Sequence, residues 1–156
     1  MIVADLFRKD VFPDFQIIAG TEGMKREISA VSVIDSPDVD RWMRGGELLI
    51  GSGYIFREDP EEMTPFLRLV AARNIAALGI KIDRYHTTLP RSLIEEAEKM
   101  GVPLIEIPLK YRWIDIIELV HGILMREQLL LESGADSPVY LWNESWDMQR
   151  LVSGLA

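Results

Sequence analysis

No cysteine occurs in the 156 residues, which excludes a disulfide framework, a cysteine nucleophile, a thiolate zinc site and an iron–sulfur cluster together. Histidine is nearly as scarce. His86 and His121 fall on different predicted elements with no HExxH pattern, so neither a metal centre nor a Ser-His-Asp triad has its material. No metal and no cofactor are expected, and His121 reads as a packing residue of a long helix. Positive charge is in deficit: 17 Lys and Arg stand against 25 Asp and Glu, for a formal net charge of −8. That is the wrong sign for a surface that neutralises many phosphates, so direct nucleic-acid contact by this domain is not expected. Long apolar runs are missing as well. The greasiest stretch, Trp113 to Leu131, is interrupted by Asp115, Glu118, Arg126 and Glu127, and the start MIVADLFRKDVF has no leader pattern. Together with the reducing compartment that cysteine-free chains suit, this predicts a cytoplasmic protein with no membrane association.

What is present is an ordinary globular composition, 48% hydrophobic and 27% charged, with enough chain for one good core. Residues 3 to 9 read as a short helix and Gln16 to Ala19 as a short strand closed by Gly20. Ile28 to Ile34 alternates like a strand and ends at Asp35-Ser36-Pro37. A helical turn around Arg41-Trp42-Met43 precedes a buried strand, Glu47 to Ile50, bracketed by Gly45-Gly46 and Gly51-Ser52-Gly53. Pro60 opens a helix to about Arg73, and Ile75 to Ile82 is a continuous apolar strand. Pro90 opens a second helix ending at Gly101, and Val102 to Ile107 returns as a strand. Alternation of this kind predicts an α/β fold: a mostly parallel sheet flanked by helices, followed by a long C-terminal helix and a helical tail.

The long helix carries two apolar seams, one of Trp113, Ile117, Val120, Leu124 and Leu131, the next of Ile116, Leu119, Ile123 and Leu130. One sheet needs one stripe, so the second implies deeper burial within the domain or a partner, of which a second copy is the simplest. Glu132 to Ser137 reads as a linker, and Trp142, Trp146, Leu151, Val152 and Leu155 recur beyond it at helical spacing. Residues 1–131 are therefore expected to form one domain and 132–156 a linker with an amphipathic tail. Because the pattern stops in mid-course at Ala156, the chain is expected to be the front piece of a longer protein.

In open α/β sheets ligands sit beyond the carboxyl ends of the strands, which directs attention to the loops at Asp35–Asp38, Gly51–Phe56, Ile82–Leu89 and Pro108–Arg112. Gly51-Ser52-Gly53 matches neither a dinucleotide fingerprint nor a P-loop; it serves either a tight strand exit or a small-molecule loop with backbone donors. Lys81, Arg84, Tyr85 and His86 form a local basic cluster at a strand end, suited to an anion unless Lys81 and Arg84 pair with acids such as Asp83 or Glu47. Glu61-Glu62 and Glu95-Glu96 diverge on helices and read as solvated faces.

The ordered motifs Gly45-Gly46-Glu47-Leu48-Leu49-Ile50-Gly51-Ser52-Gly53, Ala77-Leu78-Gly79-Ile80-Lys81 with Arg84-Tyr85, Pro90, and Gly101-Val102-Pro103-Leu104-Ile105 resemble the N-terminal domain of PucR-type bacterial transcriptional regulators. Val3-Ala4-Asp5-Leu6 and Ile17-Ile18-Ala19-Gly20 extend the likeness, which covers about residues 3 to 125. The resemblance implies an α/β fold similar to the N-terminal domains of Mur ligases and HPr kinase, no catalysis by this piece, and a DNA-binding helix-turn-helix located C-terminally, beyond a GGDEF-like region. It also points to Gly46, Glu47, Gly53, Lys81, Arg84, Tyr85 and Pro103 without assigning them roles.

The leading expectation is thus a sensory or oligomerisation domain of a regulator of purine or related catabolism. Its ligand-binding candidates are Glu47, Gly51, Ser52, Gly53, Lys81, Arg84 and Tyr85, and its dimer-forming candidates Ile116, Leu119, Ile123, Leu130, Trp142 and Trp146. Two other classes stand beside it. One is a small metabolite-processing enzyme with Glu47 as acid or base and Gly51–Gly53, Lys81 and Arg84 as an anion cradle. The other is a protein–protein module presenting the long helix and the tail.

Overall fold

A computed structural model describes residues 1–133. Five strands, β1 (Gln16–Ala19), β2 (Ala30–Val33), β3 (Glu47–Gly51), β4 (Ala77–Lys81) and β5 (Leu104–Ile107), form one sheet in the order β1-β5-β4-β3-β2. β2 to β5 are parallel and β1 closes the β5 edge antiparallel, which makes the sheet mostly parallel, as the alternation predicts. The helices are α1 (Met63–Ala71), α2 (Arg91–Met100) and α3 (Trp113–Ser133).

Strands β2 to β5 are added in one direction across the sheet, so right-handed crossovers place α1 and α2 on the same face. There Phe66, Leu67 and Val70 of α1 and Leu93 and Ala97 of α2 pack on Leu49, Leu78, Ile80 and Leu104. The opposite face is closed by the first 15 residues and by α3: Val3, Leu6, Phe12 and Phe15 join Ile116 and Val120 over Leu48, Ile50, Ala77, Ile105 and Ile107. Successive side chains of a strand alternate between the faces, which is why Leu48 and Ile50 lie in one core and Leu49 in the other.

Local chemistry sets the element ends. The Asp59 carboxylate accepts from the Glu61 N–H at 3.2 Å and Pro60 begins the turn that leads into α1. Gly101, at φ +65°, ends α2 in the left-handed conformation. At the start of α3 the Asp115 carboxylate reaches back to the Arg112 N–H at 3.3 Å and takes that residue's guanidinium at 2.8 and 2.9 Å. Residues 3 to 7 make a 3-10 turn and not the longer helix expected, held by the Asp5 carboxylate accepting from Ile2 N–H at 2.8 Å. Among the described residues no helix is long and apolar enough to cross a membrane.

Two expectations about α3 are corrected. Ile116, read as a dimer-forming residue, is fully buried beside Val120 in the core under α3, and Leu119, Ile123 and Leu124 pack partly buried against the same core. Most of the second seam is therefore intradomain packing, because the sheet and the N-terminal segment together embrace a wider arc of the helix than a sheet alone. The far end stands clear of that core, with Leu130 47% and Leu131 84% exposed, and Ile114 and Met125 are half-exposed outside it. His121, read as a packing residue, faces solvent. Trp142 and Trp146 lie outside the described residues.

Candidate functional site

At the carboxyl ends of β3, β4 and β5 three loops meet around a cleft of about 250 Å³ lined by Ser52, Lys81, Arg84, Leu109 and Trp113. Each wall comes from a different element: Ser52 follows β3, Lys81 ends β4 with Arg84 just beyond it, Leu109 follows β5, and Trp113 is the first residue of α3.

The 51–56 and 82–89 loops are latched together. Gly53 adopts φ +77°, and its carbonyl is bonded at 2.8 Å to the Nε2 of His86, a buried side chain. A Cβ at Gly53 would lie 2.7 Å from His86 Cδ2, so this position needs glycine both for its φ and for the close approach. Outside the latch, Tyr54 and Tyr85 meet edge to face at 5.0 Å, with the Arg57 guanidinium 3.8 Å from the Tyr54 ring centre and that of Arg84 5.4 Å from the Tyr85 ring centre.

The electrostatics of the cleft are set by two cations. Lys81 Nζ sits 4.2 Å from the Trp113 ring centre. Burial lowers the Lys81 ammonium from the ordinary lysine value, the neighbouring Arg84 lowers it further, and Asp115 pulls the other way. Neither Lys81 nor Arg84 makes an ion pair among the described residues. Asp83 and Glu47, the acids considered as their partners, make no salt bridge with either cation. Asp83 instead holds φ +74°, its N–H donating to the His86 carbonyl at 2.7 Å.

Of the seven ligand-binding candidates the structure brings Ser52, Lys81 and Arg84 to the cleft, with Tyr85 on the adjoining rim and Gly53 in the latch beneath. Gly51 ends β3 against Ile34, where a Cβ would stand 2.9 Å from Ile34 Cδ1. Glu47 is separated from them. It begins β3 at the opposite end of the sheet, is 5% exposed, and its carboxylate accepts from the N–H groups of Arg44 at 2.8 Å and Gly45 at 2.6 Å. Its role is to satisfy the turn into β3, which corrects its reading as a binding group or an acid–base catalyst. Leu109 falls in the Pro108–Arg112 loop that the strand-end rule singled out, whereas sequence reasoning missed Trp113 as a cleft wall. The available signal was that Trp113 follows that loop directly, and β5 ends beside β4, its sheet neighbour.

Two other cavities differ in chemistry. One of about 340 Å³ runs along α3 between Glu118 and Leu129, with Leu119, Ile123 and Met125 among its walls; one of about 290 Å³ lies between Asp83, Thr87, Thr88 and Glu106. Both are larger than the cleft, yet of the three only the cleft combines two cations with an aromatic wall at the strand ends.

Comparison with known proteins agrees with the family that the sequence motifs resemble. The family model described as the purine catabolism regulatory protein-like family matches residues 5–124. The purine catabolism regulatory protein of Bacillus subtilis (strain 168) is 33% identical over 135 residues, an alignment covering 85% of this chain and 25% of that protein. The chain thus spans about a quarter of the length of this curated relative. On a match that takes in both the cleft and most of α3, the chain belongs to the PucR, purine catabolism regulatory protein-like, family.

Proposed function

We propose that this chain is the non-catalytic input domain of a PucR-type transcriptional regulator, acting in the catabolism of purines or related metabolites. The name of the Bacillus subtilis relative supports the pathway. In this reading a small-molecule effector occupies the cleft of Ser52, Lys81, Arg84, Leu109 and Trp113, and DNA is bound by a C-terminal helix-turn-helix outside this chain. The carrying observation is that Trp113 is both a wall of the cleft and the first residue of α3. A ligand that repositions Trp113 acts directly on the helix whose far end leaves the domain, and differential affinity for two placements of α3 is all that allosteric output requires.

Pairing with a second copy completes the proposal. Leu130 and Leu131, seven residues beyond Ile123 and Leu124, carry the two apolar seams of α3 past its packed half as exposed side chains, a surface suited to a symmetric helix pair. Trp142 and Trp146 belong to the same proposed interface through their helical spacing. The enzyme alternative is weakened by the placement of Glu47, its only acid–base candidate, away from both cations.

Thermal unfolding of the chain across a panel of purine-catabolic intermediates tests the effector half. A compound at about 100 times its Kd adds about 2.7 kcal/mol of stability, and the Arg84→Gln variant loses that gain. A panel that leaves the wild type unmoved, or stabilises both proteins equally, contradicts an effector site in this cleft.

A further inference from the structure

We infer that the cleft recognises a small monocarboxylate joined to a flat, unsaturated body, its oxygens shared between Lys81 and Arg84 and its flat face lying against Trp113. This inference deepens the effector site proposed above and rests on that reading.

Three observations select the ligand class. First, two cations line one cleft without a salt bridge among the described residues in a chain of net charge −8, and the Arg84 charge raises the cost of charging Lys81. An anion bridging them relieves that repulsion, and the guanidinium fork of Arg84 can hold two oxygens of a planar or tetrahedral oxyanion at once. Second, the Arg112 N–H at the start of α3 is already directed at the Asp115 carboxylate, and Asp115 is close enough to raise the affinity of Lys81 for its proton. That fixed negative charge beside the cleft opposes a dianion more strongly than a monoanion. Third, the remaining walls carry no charge: Ser52 adds a single hydroxyl and the other two are apolar. Leu109 and Trp113 offer no charge to a ligand body, and 250 Å³ holds the equivalent of about eight waters, so the body is compact.

The same geometry explains how such a ligand reaches α3. Lys81 Nζ now lies over the Trp113 ring. A carboxylate engaging Nζ draws the ammonium from the ring, and the vacated indole face accepts the flat body. Binding therefore exchanges a cation–π contact for a charge-assisted hydrogen bond and a stacking contact, and both act on the first turn of α3.

The test is an NMR titration of the 156-residue chain with benzoate, its neutral isostere benzamide, and inorganic phosphate, up to about 50 mM for ligands of this size. Benzoate is expected to give saturable shifts in residues 51–54, 81–86 and 109–115 and in the Trp113 indole, with smaller saturable shifts carried along residues 117–127, and benzamide and phosphate are each expected to bind about tenfold more weakly or worse. Lys81→Met and Arg84→Gln are each expected to weaken benzoate by about tenfold with unchanged circular dichroism, while Arg73→Gln, beyond α1, has no effect. Equal binding of benzoate and benzamide overturns the inference, as does tighter binding of phosphate, or benzoate binding that survives both cleft substitutions. Metabolite stabilisation with no benzoate binding overturns the ligand class and leaves the sensor standing. Benzoate shifts confined to the cleft, with residues 117–127 still, uphold the ligand class and contradict output through α3.

Discussion

Glu47 and Lys81 show how much a residue's meaning depends on which end of a strand it occupies. Glu47 bonds two backbone N–H groups before β3, so Glu47→Ala leaves both donors unsatisfied and should cost about 1–3 kcal/mol in urea unfolding, with benzoate affinity unchanged. A loss of affinity in a stable Glu47→Ala protein would restore it to the binding site. Gly53→Ala should cost a further class of energy, about 1–3 kcal/mol for a side chain forced to φ +77° against His86, and should loosen the 82–89 loop in hydrogen exchange. For Lys81 the sign follows from linkage. Its native value lies below the ordinary 10.5, so between the two the unfolded chain binds more protons and stability rises with pH. Lys81→Met should abolish that rise and be no less stable at neutral pH. The lysine's position at a strand end was legible from the apolar run before it, whereas its partner Trp113 was not, since no local pattern announces a contact between residues 32 positions apart.

Strands and helices were the most legible level, because glycine and proline punctuate nearly every boundary: Gly20, Gly51, Gly101 and Pro108 stand at or next to element ends. What the periodicity of α3 concealed was how wide an arc of the helix would be covered. An amphipathic stripe reports burial, and burial by residues 1–15 leaves the same trace as burial by a partner. Ile116→Ala should therefore destabilise the chain by about 2–5 kcal/mol without changing its oligomeric state, while Leu130→Glu with Leu131→Glu should leave stability nearly unchanged and dissociate dimers in light scattering. The reverse pattern would return the interface to the front half of the helix. The cap at the head of α3 carries its own pH signature. The Arg112 side chain holds the Asp115 carboxyl below the ordinary value of 3.8, so its contribution is present above that value and disappears as pH falls through the native one. Asp115→Asn should weaken the protein near neutrality and match wild type in acid.

Across the whole molecule the division of labour is between two faces and one end. Both faces of the sheet are closed, by α1 and α2 on one side and by α3 with the N-terminal segment on the other, which leaves the carboxyl end as the place where loops from β3, β4 and β5 converge. The fold class and the basic cluster were visible in the sequence, since each is written in local alternation and adjacency. The cleft was not, because its walls are brought together only by strand order. The most direct test of the account is hydrogen–deuterium exchange on the chain with and without the metabolite that most raises its melting temperature. Slowed exchange in residues 51–56 and 82–89 together with the first turns of α3 is the predicted result; protection that spares these loops and α3 would contradict it.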